Sequence, residues 1–119
     1  MAKYVDGYVI PIPKKNLAAY RKMAQWGKKT WLKYGALDYK ECVGDDLKPQ
    51  FGALFPRMTK LKPGETVIFS YIVYKSRAHR DQVNAKVMKD PSMTTAAPPK
   101  MPFDMKRMAF GGFKVLVGS

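Results

Sequence analysis

Cysteine is nearly missing from this chain: Cys42 stands alone among 119 residues. A single thiol cannot close an intrachain bridge, which excludes a disulfide scaffold and makes a reducing compartment the expectation. Histidine is as scarce, with His79 alone, and no His/Cys/Asp/Glu spacing fits a metal site, so no metal and no cofactor are expected. Acidic residues are few, 9 against 22 Lys and Arg, leaving a net charge of +13. No apolar run approaches the roughly 20 residues of a membrane span. The opening MAKYVDGYVIPIP is interrupted by Asp6, Pro11 and Pro13, unlike a secretory signal, so a cytoplasmic protein is expected. There is no Walker loop, GxGxxG, GxSxG, aromatic RNP stretch or GXXG loop, which removes the common nucleotide, dinucleotide, hydrolase and RNA-recognition designs.

What remains is an ordinary globular composition, 46% hydrophobic and 26% charged, in a length that suits one domain over 1–119. Residues 3–12 alternate as a strand, with Tyr4, Asp6, Tyr8, Ile10 and Ile12 on one face. Residues 16–34 carry Leu17, Tyr20, Ala24, Gly27, Trp31 and Tyr34 at helical spacing, and Gly35 is a natural stop. A second strand is expected over 36–44 and a short extra one over 55–62. Pro63-Gly64 then reads as a turn into ETVIFSYIVY, residues 65–74, the strongest strand pattern in the chain. Ser76 is placed to cap a helix over 77–89, which Asp90-Pro91 ends. A Pro-rich loop of thirteen residues, PSMTTAAPPKMPF, leads to a last strand over 106–117, where Gly111-Gly112 suggests a bulge or the close approach of another group.

Strand, helix, strand, strand, helix, strand predicts an α+β fold: a ferredoxin-like βαββαβ antiparallel sheet with both helices on one face. Residues 65–74 are apolar on both faces, the mark of a strand covered on both sides. Two helices cover only one. A second copy of the sheet is the simplest cover for the other, so a homodimer is expected, with the loops folding over the sheet as the competing reading.

The segments YVDGYVIPIP, AYRKMA, GALDYKECVGDD, ETVIFSYIVYKSRAHRDQVNAKVMKDP and MPFDMKRMAFGGF, in this order, resemble the YbaA-like proteins, a domain family of unknown function. The resemblance spans nearly the whole chain, and SR-x-x-RD (Ser76, Arg77, Arg80, Asp81) and MPFD-x-KRM-x-x-GGF are its most specific parts. It implies the dimeric α/β barrel, in which two ferredoxin-like sheets face each other.

Four groups of residues invite a chemical reading. Arg77, Arg80, Asp81 and Asn84 share one helix at spacings of four, and form either an anion clamp or a structural tie to the last strand or a second subunit. Asp104, Lys106 and Arg107 lie where the long loop enters the last strand, with Lys106 and Arg107 expected on opposite faces. With Asp6 they form either a polar spot in an apolar pocket or a salt bridge at the sheet end. Met93, Met101, Met105 and Met108 with Phe103 and Phe110 form an apolar cluster, expected mainly as packing of the loop. Lys14, Lys15, Arg21, Lys22, Lys28, Lys29 and Lys33 put a basic face on the first helix, a solvated surface or a polyanion site. His79 lacks an obvious partner and is expected to be exposed; Cys42 is expected to be buried and inert.

Three functions therefore stand side by side. One is a pocket protein for a small anionic or apolar ligand in the sheet–helix cleft, including a cofactor-free enzyme of the monooxygenase, isomerase or lyase kind; there Arg80 and Arg107 would hold an anionic group and Asp81 or Asp104 would orient them or take a proton. The second is an RNA or other polyanion binder. The third is a dimer without chemistry.

Overall fold

The computed structural model describes residues 2–94 and 101–118. Strand β1 (Tyr4–Pro13) runs through a 3-10 turn (Lys14–Asn16) into helix α1 (Leu17–Lys33), followed by β2 (Asp38–Val43) and a single helical turn, α2 (Phe55–Met58). Then come β3 (Glu65–Tyr74), α3 (Arg77–Met88), the short α4 (Pro91–Thr94), a 3-10 turn (Met105–Arg107) and β4 (Ala109–Lys114). The four strands form one antiparallel sheet in the order β2-β3-β1-β4. This is the ferredoxin-like α+β arrangement read from the sequence. Gly35 (φ +113°) and Gly64 (φ +80°) take up the expected helix stop and turn, and the Ser76 hydroxyl accepts the His79 N–H at the start of α3.

Both long helices lie on one face of the sheet and divide its core in two. Val83 and Val87 of α3, with Trp31 of α1 and Tyr34 just past its end, pack on Tyr4, Ile72 and Tyr74. Tyr20, with Leu17, Met23 and Ala24 of α1, packs on Ile10, Ile12, Ile68 and Phe103. Tyr8 touches both clusters. The opposite face carries Val5, Val9, Phe69, Tyr71 and Phe113 and has no layer above it among the described residues: Phe69 is 46% and Phe113 61% exposed.

Two segments depart from the expected elements. Residues 55–58 form a helical turn instead of a strand, because Pro56 sits in the first turn, where its missing N–H costs nothing, and cannot donate to a ladder. The last strand starts at Ala109, not at residue 106: the Asp104 carboxylate accepts the Lys106 N–H at 3.0 Å and winds Met105–Arg107 into a 3-10 turn. Lys106 and Arg107 are thereby outside the sheet and do not alternate across it. Of the long loop, residues 95–100 lie outside those described. Phe103 is buried, with Met101 and Met108 against it, but Met93, Met105 and Phe110 are exposed, so the expected methionine cluster is only partly formed.

Candidate functional site

The residues singled out from the sequence fall into two places at opposite ends of β3. At one end, Arg80 Nη1 reaches Asp6 Oδ1 at 3.2 Å, its Nη2 donates to the Tyr4 hydroxyl at 3.4 Å, and its guanidinium lies 4.9 Å over the Tyr4 ring. Gly112, opposite Asp6 in β4, admits the Tyr4 hydroxyl where a Cβ would collide with it. Thus Gly112 of the glycine pair marks a close approach by another group, one of the two readings the sequence offered. Asp81 Oδ1 lies 2.9 Å from Arg80 Nε, yet that N–H is not aligned on an acceptor among the described residues. Asn84 Oδ1 accepts from Trp31 Nε1 at 3.1 Å and from the Tyr74 hydroxyl at 3.3 Å. Burial raises the Asp6 pKa, against the opposing pull of Arg80. Arg77 is exposed and joins none of this.

At the other end, Arg107 grips Glu65 through both oxygens at 2.7 and 2.9 Å and donates to the carbonyls of Thr59 and Lys60. Asp104 and Lys106 are exposed beside it. The expected grouping of Asp6 with Asp104, Lys106 and Arg107 is therefore not formed; each arginine is held by a carboxylate of its own. Each pair ties its segment, α3 or the loop before β4, to the sheet.

Between the two cores, where α1 crosses the sheet, lies a cavity of about 180 Å³ that is partly open to solvent. Tyr8, Tyr20, Trp31, Tyr39, Phe103 and Met108 are among its walls, and Glu41 and Ser70 supply polar groups. The sheet register explains these polar groups. Glu41 of β2 pairs with Ser70 of β3, and Ser70 pairs with Tyr8 of β1, so the three form one row on the helix side. Glu41 takes the Tyr20 hydroxyl on Oε1 at 2.6 Å and the Tyr39 hydroxyl on Oε2 at 2.7 Å. The hydroxyls of Tyr8 and Ser70 have no hydrogen-bond partner among the described residues, and neither is sealed from solvent. Burial pushes the Tyr8 phenol up to about 12, and the negative charges of Asp6 and Glu41 push it the same way. The Tyr20 and Tyr39 pKa values are raised too, by burial and by their bonds to Glu41. All three are neutral donors at physiological pH. Gly27 faces this wall: a Cβ there would stand 2.5 Å from the Tyr39 hydroxyl, so α1 comes close enough to hold the ring only because position 27 has no side chain.

Tyr20, Tyr39 and Glu41 also border an outer cleft of about 510 Å³ between α1 and the edge strand β2, rimmed by Arg21, Lys28 and Lys40. Cys42 lies in that cleft and is exposed, not buried as expected. β2 is the edge of the sheet, and no element covers it there. His79 is half-buried, its Nδ1 accepting the Lys75 N–H at 3.0 Å, and burial lowers its pKa. No group of three or more His, Cys, Asp or Glu among the described residues is placed to hold a metal ion. No helix among them is long and apolar enough to cross a membrane.

The model of the DUF1428 family, proteins of unknown function, matches residues 3–105. The chain belongs to this family. It is 39% identical over 115 residues to the uncharacterized protein YbaA of Escherichia coli K12, covering 97% of each chain, and equally to YbaA of Shigella flexneri. Among solved structures, a dimeric ferredoxin-like protein from an uncultured marine organism superposes with a TM-score of 0.61 at 12% identity over 100% of both chains, a likeness of fold. The DUF1428 match contains the whole cavity wall except Met108.

Glu41, Ser70 and Tyr39 were not singled out from the sequence. The signal was present: Glu41 is an acid between two inward-facing positions of a short strand, and Ser70 is a small hydroxyl in the middle of ETVIFSYIVY. Each is a polar residue at an apolar register position, which calls for a partner.

Proposed function

We propose that this protein is a homodimer that binds a small, mainly apolar ligand in the cavity between α1 and the sheet of each protomer. The observation that carries this reading is the cavity, with aromatic walls and two unpartnered hydroxyls at the junction of the two cores. Its volume of about 180 Å³ is close to the roughly 150 Å³ that suffices for a benzene-sized guest. An anionic ligand is disfavoured there, because Arg80 and Arg107 are engaged by Asp6 and Glu65 and the cavity presents the carboxylate of Glu41. The dimer is supported by the uncovered apolar face and by the dimeric state of the marine relative in fold. A free, exposed Cys42 suits a reducing, cytoplasmic setting. Crystals pressurised with xenon test the cavity: density beside Ser70 and Phe103 is the expected result, and an empty site under pressure contradicts it.

One observation favours a second reading, polyanion binding. Lys14, Lys15, Arg21, Lys22, Lys28, Lys29 and Lys33 are all exposed along α1 and the turn before it, and of these only Lys33 meets a carboxylate, Asp90 at 3.5 Å, among the described residues. RNA affinity that persists with sequence preference near physiological salt supports it; affinity that vanishes there leaves only non-specific attraction.

A further inference from the structure

We infer that the ligand of the cavity is a small neutral ring bearing a hydroxyl, of the phenol class. This rests on the pocket reading above and adds the chemistry of the guest. The walls are aromatic on several sides: Tyr20 meets Phe103 edge-on at 5.8 Å, Trp26 meets Trp31 edge-on at 6.1 Å, and Trp31 lies 6.3 Å from Tyr39. A planar ring completes such an arrangement through stacked or edge contacts. Beneath it runs the row Glu41–Ser70–Tyr8, successive partners across three strands on the helix side, whose Cβ atoms stand about 5 Å apart, and all three side chains line the pocket.

The hydrogen-bond inventory of this row selects the guest. The Glu41 carboxylate accepts only, and its bonds from Tyr20 and Tyr39 leave it room for a further donor. Ser70 and Tyr8 each bring an O–H without a partner, and Tyr8 remains protonated because its pKa stands at about 12. A phenolic O–H donates to Glu41, and its oxygen accepts from Ser70 or Tyr8. A plain hydrocarbon would cover these hydroxyls without meeting them, which is unfavourable. A carboxylate or phenolate would face Glu41 at close range without a free cation in the cavity wall. The ring's size follows from the cavity of about 180 Å³, which admits one six-membered ring with a small substituent.

The test is titration of the intact protein with phenol, benzene and benzoate, followed by tryptophan fluorescence, since Trp26 and Trp31 line the site. Phenol should bind about tenfold more tightly than benzene, the worth of one to two net hydrogen bonds, and benzoate more weakly than either. Ser70→Ala and Tyr8→Phe should each weaken phenol several-fold and narrow its advantage over benzene. Equal affinity for phenol and benzene, or a preference for benzoate, overturns the phenol assignment while the pocket reading stands. Binding of no ring at all overturns both. The wild-type comparison of the three rings decides the matter even if a variant fails to fold.

Discussion

At the scale of single residues, the two arginine–carboxylate pairs act in different pH ranges. Glu65, gripped by Arg107 and accepting the Lys62 N–H, has its pKa lowered to about 2. A carboxyl group whose folded pKa lies below its unfolded value contributes stability that is complete above the unfolded value, near 4.5, and is lost as pH falls toward 2. Asp90, held by Ser92 and Tyr34, is lowered as well and contributes with the same sign. Asp6 has the opposite sign: its pKa is raised by burial, so its proton linkage favours the fold at low pH and the contribution falls as pH rises through the folded value. Glu65→Gln should therefore flatten the loss of stability between pH 4.5 and 2, measured by urea unfolding at stepped pH, and leave a residual slope from Asp90. An unchanged acid limb would show that the Glu65–Arg107 contact does not persist in solution. Arg80→Met tests the other pair at neutral pH. It leaves Asp6, 5% exposed, buried without its counter-charge, and should cost about 3–5 kcal/mol; a loss under 1 kcal/mol would mean that Asp6 finds another partner.

At the scale of elements, the caps and turns were legible because each is a local device written in a few adjacent residues. Ser76 is one: its hydroxyl accepts the His79 N–H at 3.1 Å, and Ser76→Ala should lower the unfolding free energy by about 1 kcal/mol, with Ser76→Thr close to wild type. The β3 boundaries and the paired glycines of β4 were legible for the same reason. The residues before β4 were not, because Lys106 and Arg107 run without a break into the apolar residues of the strand, and only Asp104 turning back on the Lys106 N–H takes them out of it. The cavity was hidden for a further reason. It depends on Gly27 of α1, Tyr39 and Glu41 of β2, Ser70 of β3 and Tyr8 of β1 meeting across the sheet, a register that no local pattern encodes. Arg80 and Asp6 were each noticed, but their pairing across 74 positions is likewise a product of the topology. Gly27→Ala bears directly on this arrangement. Alanine favours an exposed helix over glycine by about 1 kcal/mol, but here its Cβ would displace the Tyr39 hydroxyl from Glu41. The expected outcome is a net loss of stability and a changed tryptophan spectrum; a plain gain of stability would show that Tyr39 is free to move aside.

At the scale of the whole molecule, the chain is a slab of 40 × 38 × 20 Å with a radius of gyration of 15.4 Å, against about 13.5 Å for a compact chain of this length. It is two layers thick, and its second sheet face, centred on Phe69 and Phe113, is apolar and open. A second copy laid on that face turns two slabs into four layers and covers both sets of aromatics at once, since a two-fold axis brings each patch onto itself. Phe69→Lys should split the pair: wild type sedimenting at twice 13.5 kDa, the variant at that mass once, with α1 and its cavity unaffected. A wild-type protomer sedimenting alone at micromolar concentration defeats the homodimer. Salt separates this association from polyanion binding. Pairing two chains of net charge +13 sets like charges together, so screening should tighten the dimer as salt rises. Attraction of the α1 lysines to RNA releases counterions and weakens along the same axis. The two dependences have opposite slopes, so one salt series followed by sedimentation and by RNA titration assigns the excess positive charge either to a tolerated cost of dimerisation or to a partner of opposite sign.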